Sequence, residues 1–218
     1  MSLHYDNTEH GIFLRRVNRF VAEVQTDSGV STVHVRNTGR CTGVIFPGAE
    51  VSLQRSADPM RKTPYTLIAV RTPEYGWVNL DSLSPNKLAS EWLENQGFTE
   101  IRPEQRFGSS RIDFMAVRGG EEWLIEVKGC TLAENGTGLF PDAPTARGTK
   151  HLRELSAAAG RGLCPAIAFV IMLHGVEKVV PNSAIDPQFA GEFAKARSAG
   201  VQVFYIPCTC TASDVFLK

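Results

Sequence analysis

The chain has 218 residues, 43% apolar and 21% charged, with 23 Lys/Arg balanced by 23 Asp/Glu. That describes one large or two small folded domains and excludes a disordered polyelectrolyte or a strongly basic protein. No run of about 18 apolar residues and no basic-then-apolar leader occurs, so neither a membrane span nor a secretory signal is expected, and the cytoplasm is the expected location. Cysteines 41, 130, 164, 208 and 210 are odd in number and lack C-x-x-C spacing, which argues for reduced, mostly buried thiols rather than a zinc site.

From Ile12 to Leu80 short apolar runs alternate with turn residues: FLRRVNRFVAEVQT, Asp27-Ser28-Gly29, VSTVHVR, Asn37-Thr38-Gly39, Pro47-Gly48, AEVSLQR, YTLIAVR and GWVNL. About five short strands without a helical run suggest a small barrel of oligonucleotide-binding (OB) type, although other small barrels read alike. Between Ile12 and Arg71 nine Lys/Arg stand against four acids. Arg15, Arg16, Arg19, Arg36, Arg40, Arg61 and Lys62 are therefore candidates to track a phosphate backbone. Phe13, Phe20, Tyr65 and Trp77 are available as stacking platforms, but an aromatic in a short strand more often belongs to the core.

Ser84-Pro85 reads as an N-cap followed by proline at the first helical position, and Gly97 as the stop. Leu88, Trp92 and Leu93 form the apolar stripe of this helix. Glu91 lies off it, four residues after Lys87, where an exposed ion pair is the plain reading. The domain boundary is expected near Asp81, giving a barrel over 1–81 and a second domain over 82–218.

After a strand in FTEIRPEQRF comes RIDFMAVRGGEEWLIEVKG, residues 111–129. Ile112, Phe114 and Ala116 alternate on one run and Trp123, Ile125 and Val127 on the next, with Gly119-Gly120 as a two-residue turn. A turn centred on the glycines sets Asp113 opposite Glu126, and Lys128 projects from the same face. Opposed carboxylates repel. A divalent ion such as Mg²⁺, held by the carboxylates and waters, would relieve this and could activate water for phosphodiester hydrolysis. A metal-free ion network, with Lys128 neutralising both acids, fits the pattern equally well.

The segment 129–146 shows little periodicity and reads as a long functional loop. Helices near 147–159 and 187–198 then alternate with strands in PAIAFVIML and VQVFYI, which predicts a mixed sheet covered on both faces. In RGTKHLREL, Arg147, Lys150 and His151 share a helix face, a seat for phosphate or simply a solvated surface.

The stretches NTGRCTG, RKTPYT, SRIDFM, IEVKGCTLAENGTGLFPDAPTARGTKHLREL and AGVQVFYI closely resemble the bacterial and archaeal sugar fermentation stimulation protein family, in order and over nearly the whole chain. The resemblance implies an α+β protein of two domains, an N-terminal OB-like barrel and a C-terminal mixed α/β domain of restriction-endonuclease-like, PD-(D/E)xK type. It matches Asp113, Glu126 and Lys128 to the catalytic aspartate and Glu-x-Lys, and implies Glu91 as a further metal ligand, with Mg²⁺ or Mn²⁺ as the ion. It further implies DNA binding and a regulatory role in sugar, especially maltose, metabolism. Nuclease activity is implied by the site alone; a non-catalytic DNA-binding factor on the same scaffold is the alternative. Arg40-Cys41 stands where relatives usually carry a small residue and methionine, and Ala146 where a glutamate is common.

Overall fold

A computed structural model describes residues 3–37, 39, 41 and 43–218. The strand β1 (Leu3–His4) precedes six further strands, β2 (Thr8–Asn18), β3 (Val21–Thr26), β4 (Gly29–Val35), β5 (Glu50–Arg55), β6 (Tyr65–Thr72) and β7 (Gly76–Asn79). These six pair antiparallel in the order β4-β3-β2-β5-β6-β7, and β4 returns to β6 in parallel. Strands β2 to β6 thus close a five-stranded barrel of OB topology. Period-2 alternation turns Phe13, Val24, Val33 and Leu53 into its core, each at most 3% exposed. Phe13 and Tyr65 are core as the short strands suggest, whereas Phe20 is exposed beneath the Arg19 guanidinium, 4.6 Å from its ring centre.

The second domain begins with α1 (Ser84–Asn95). Ser84 is not its cap. The capping position is Leu83, and the buried Ser84 hydroxyl donates backward to Asn79 Oδ1 and the Asp81 carbonyl, tying the helix start to the barrel's last strand. The predicted stop is present. Gly97, at φ 78°, lets Phe98 N–H reach the Leu93 carbonyl and its own N–H the Glu94 carbonyl, the bonding of a Schellman end.

Then follow β8 (Thr99–Phe107), β9 (Ser110–Arg118), β10 (Glu121–Cys130), β11 (Ala133–Glu134), β12 (Thr137–Phe140), α2 (Ala146–Ala159), β13 (Cys164–Ile171), β14 (Val179–Pro181), α3 (Pro187–Ser198), β15 (Gln202–Cys210) and β16 (Asp214–Leu217). A seven-stranded sheet runs β1-β16-β15-β13-β10-β9-β8, with β10, β13 and β15 parallel at its centre. The central β13 reads as a continuous apolar run because helices cover both its faces. Trp123 packs with Phe98 and Phe204 beside α1, while Glu126, on the other face of β10 by alternation, meets α2. Helix α3 lies beside α2, its Phe189 and Phe193 near Phe140 and Phe169.

Two details differ from the sequence reading. The segment 129–146 is not one loop: β11 and β12 form a tight hairpin around Asn135-Gly136, both at positive φ, and β12 pairs with β14. Asn-Gly supplies the left-handed pair that a type I′ turn needs. The chain's first strand also crosses domains, because β1 pairs with β16 rather than with the barrel. No helix among the described residues is long and apolar enough to cross a membrane.

Candidate active site

The β9–β10 hairpin turns at Gly119 and Gly120, both at positive φ, and its register runs from Arg118↔Glu121 to Phe114↔Ile125, as the glycine-centred turn predicts. The ladder stops one pair short of Asp113 and Glu126. There the Asp113 carboxylate takes over as acceptor: Oδ2 receives the Val127 N–H at 2.8 Å, and Oδ1 receives the Asn86 side-chain amide, from the first turn of α1, at 2.8 Å.

Glu126 is 2% exposed. Its Oε1 receives both Lys128 Nζ and His151 Nδ1, whereas Oε2 is buried without a hydrogen-bond partner. Arg147 Nε approaches His151 Nε2 at 3.4 Å, which assigns the imidazole proton to Nδ1. Burial pushes the Asp113 pKa up, and the nearby Glu126 charge adds to that; the bonds from Val127 and Asn86 and the Lys128 charge only partly oppose it. Burial also pushes Glu126 up, but the His151 hydrogen bond and the Lys128 charge outweigh it, and its pKa ends below the ordinary value.

An orphaned buried carboxylate oxygen is costly unless a cation or donor meets it. A hard divalent ion with one or two protein carboxylates and several waters suits this donor set. Among the described residues no three Asp, Glu, His or Cys side chains converge on one point, so Glu91, half-buried on α1, does not complete a three-ligand cluster with Asp113 and Glu126. Asn86 was not foreseen; nothing local in the sequence marks a helix-borne amide as the partner of a strand aspartate.

The spacing of Arg147, Lys150 and His151 is helical as expected, but burial divides them. Arg147 and Lys150 are exposed, and Lys150 Nζ donates to the Ser109 carbonyl at 3.3 Å. His151, 2% exposed, points inward to Glu126 instead of outward to a phosphate. The reason is Glu126, which needs a donor once the sheet buries it.

Most barrel arginines serve the barrel. Arg15 makes a two-pronged bond to Glu23 at 2.8 and 2.7 Å. Arg16 donates to the carbonyls of Asn37, Gly39 and Arg19 at 2.6, 2.7 and 2.7 Å, and Arg36 to the buried Asp81 at 2.9 Å. Arg61 donates to the Thr66 hydroxyl at 3.0 Å, Lys62 is exposed, and Arg40 lies outside the described residues. The loop that Arg16 shapes meets the second domain: Cys41 N–H donates to Asp142 at 3.2 Å, and Asn37 and Gly39 line a cavity of about 210 Å³ together with Gly129, Thr131 and Asp142.

Residues 14–80 match the SfsA N-terminal OB domain and residues 83–214 the sugar fermentation stimulation protein RE domain. The chain belongs to the sugar fermentation stimulation protein family. A family homolog from Desulfitobacterium hafniense (strain DSM 10664 / DCB-2) is 41% identical over 98% of this chain and 94% of its own. Another, from Clostridium perfringens (strain 13 / Type A), is 42% identical over 94% of this chain and 92% of its own. A solved structure, that of Pyrococcus furiosus SfsA in complex with Ca²⁺, is 28% identical, covers 100% of this chain and 96% of that one, and superposes with a TM-score of 0.88. The family's two-domain organisation is thus the one the strands of this chain build.

Proposed function

We propose that this protein binds DNA and hydrolyses phosphodiester bonds at a divalent-metal site formed by Asp113 and Glu126, acting in the cytoplasm in the control of sugar metabolism. The reading rests above all on Glu126 Oε2, a buried carboxylate oxygen with no protein donor beside a second acid and a lysine. The OB barrel, the Ca²⁺ in the family relative's structure and the family's name support it.

In this scheme Asp113 and Glu126 Oε2 would hold Mg²⁺ or Mn²⁺, with Glu91 on α1 as a further ligand. An ion held there would acidify a water and steady the anionic phosphoryl group. Lys128, held by Glu126 Oε1, keeps a fixed positive charge at the same spot, where charge develops on the phosphate. His151 holds Glu126 by Oε1 and so would leave Oε2 available to an ion. Arg147 and Lys150 extend the cationic rim over which the DNA strand lies.

A second reading has an observation of its own. Both Asp113 oxygens already accept hydrogen bonds, which suits a scaffold that occupies DNA without cutting it. Cleavage and mobility-shift gels, run together on end-labelled single- and double-stranded DNA with Mg²⁺, Mn²⁺ or EDTA, separate the two. Metal-dependent cleavage that disappears in Asp113→Ala is the expected result. Retention by Asp113→Ala would assign the cleavage to a contaminant, and a shifted band without cleavage would favour the DNA-binding factor.

A further inference from the structure

A second pair of like charges faces across a strand pair, this time of arginines. Arg106 on β8 is in direct register with Arg111 on β9, just before the turn that Phe107 and Ser110 close. Directly opposed like charges destabilise a hairpin. Arg111 has one exposed carboxylate neighbour, Glu104, at 3.4 Å. The Arg106 side chain has no acidic partner among the described residues. The two arginines and the turn residues Gly108, Ser109 and Ser110 line an open hollow of about 390 Å³.

The hollow is anchored. Glu154 of α2 accepts from the Ser109 N–H at 3.2 Å and from its hydroxyl at 3.1 Å, while Lys150 Nζ reaches the Ser109 carbonyl at 3.3 Å. Oε1 of Glu154 is thereby committed to the turn while its Oε2 stays buried without a hydrogen-bond partner, and the lysine adds a third cation at the hollow's edge. The helix that fixes the tip is the one that delivers His151 to Glu126. Edge protection explains charges on β8, the outermost strand of the sheet. It does not explain a facing arginine on the inner strand β9. An anion between the guanidiniums explains both.

We infer that Arg106 and Arg111 clamp a backbone phosphate of the nucleic-acid strand about two nucleotides from the phosphodiester that lies at the active site. The inference rests on the DNA binding proposed above. Arg111 and Asp113 share a face of β9 by alternation, roughly 7 Å apart along the strand. With one phosphate per ~3.4 Å of helix axis on each strand, that is about two nucleotides. Guanidinium forks suit phosphate oxygens better than ammonium groups do, because their donors match the anion's geometry.

The test is the salt dependence of DNA binding by the full chain, measured by fluorescence anisotropy in EDTA, for wild type and the double variant Arg106→Gln/Arg111→Gln. Both side chains are at the surface of an exposed hairpin tip, and an unchanged melting temperature verifies the fold. The plot of log K against log salt is expected to lose about 0.7 to 0.9 of its slope, the share of one phosphate, and affinity at about 50 mM salt to fall on the order of tenfold. A control, Arg153→Gln, neutralises an exposed arginine elsewhere on α2 and is expected to leave the slope unchanged. A double variant with the wild-type slope overturns the clamp and leaves DNA binding intact. An equal effect per charge in the control reduces it to net charge and also overturns it. Wild-type protein that binds no DNA removes the underlying reading and the clamp together. Millimolar orthophosphate that raises the melting temperature of wild type and not of the double variant, with an unchanged DNA slope, makes this a free-anion site and overturns the backbone assignment.

Discussion

In the barrel, Arg15 lies on Glu23, Arg36 on Asp81, Arg55 on Glu9 and Arg71 on Glu50. In the C-terminal sheet, Asp113 stands close enough to Glu126 to have its pKa raised by that charge, and Arg106 faces Arg111. The two regions carry the same residue types and solve opposite problems. A barrel of short strands uses cross-strand ion pairs as ordinary sheet contacts. The larger sheet, stabilised by its apolar centre, tolerates like charges side by side. Uncompensated charge is therefore the better marker of function here, and a local excess of arginine is the poorer one.

The contrast is broken most decisively at Glu126. Glu126→Gln keeps the volume and the acceptor for Lys128 and His151 but removes the charge that a metal needs. Cleavage is expected to fall by about a hundredfold or more, the scale seen when a transition-state stabiliser is lost. Thermal stabilisation by Mn²⁺, expected for wild type because a ligand that binds only the folded state raises its stability, is expected to vanish as well. A variant that keeps both would make Glu126 a structural acid like those of the barrel.

On the barrel side, Asp81→Ala removes the acceptor of Arg36 and of the Tyr5 hydroxyl at 3.2 Å. Asp81 is 4% exposed and Tyr5 5%, so the Tyr5 hydroxyl loses a buried acceptor, while the Arg36 side chain, 30% exposed, loses its ion-pair partner. Urea denaturation is expected to show a loss of about 3 kcal/mol, while the salt dependence of DNA binding by Arg36→Gln stays at the wild-type slope. A slope lowered by about 0.9 in Arg36→Gln would make this arginine a phosphate contact after all.

Asp186 sharpens the difference inside the C-terminal domain. It caps α3, accepting from Phe189 N–H and Thr145 N–H, both at 2.8 Å, and these backbone donors hold its pKa below the ordinary value. A depressed carboxylate contributes stability above its unfolded pKa and loses it as pH falls through the folded one. Asp186→Ala is accordingly expected to cost about 1 kcal/mol at neutral pH. The gap between variant and wild type should close as pH drops below about 4. A gap that widened in acid would mean that the cap is not what Asp186 contributes.

How much of this was readable beforehand depended on the range of the interaction. The β9–β10 register followed from two glycines and strict alternation, both local. The Asn135-Gly136 hairpin carries an equally local turn signal, but its strands, two and four residues long, are too short to show a period of their own. The same turn and alternation put Asp113, Glu126 and Lys128 on one face, and the family motif gave them catalytic roles. Burial was another matter. His151 shares a helix face with Arg147 and Lys150, and only the sheet beneath decides that one of the three points inward. Asn86 and the cross-domain pairing of β1 likewise depend on contacts between segments whose spacing alone fixes nothing, whereas the facing of Arg106 with Arg111 is as local as the β9–β10 register, set across the turn at Gly108-Ser109.

The weakest contact poses the most discriminating question for the barrel. Arg15 and Glu23 form an exposed pair, with side-chain exposures of 64% and 27%. Solvent screens such a pair, and holding two long side chains in one geometry offsets much of the attraction, so Arg15→Gln is expected to cost about 0.5 kcal/mol or less. That small value also means that Arg15 can leave Glu23 cheaply when a stronger anion arrives. An Arg15→Gln protein with wild-type stability and a wild-type salt slope would keep this arginine among the barrel's internal contacts. The same stability with a slope lower by about 0.9 would mean that it exchanges Glu23 for a phosphate, and that exposed barrel pairs are held in reserve for DNA.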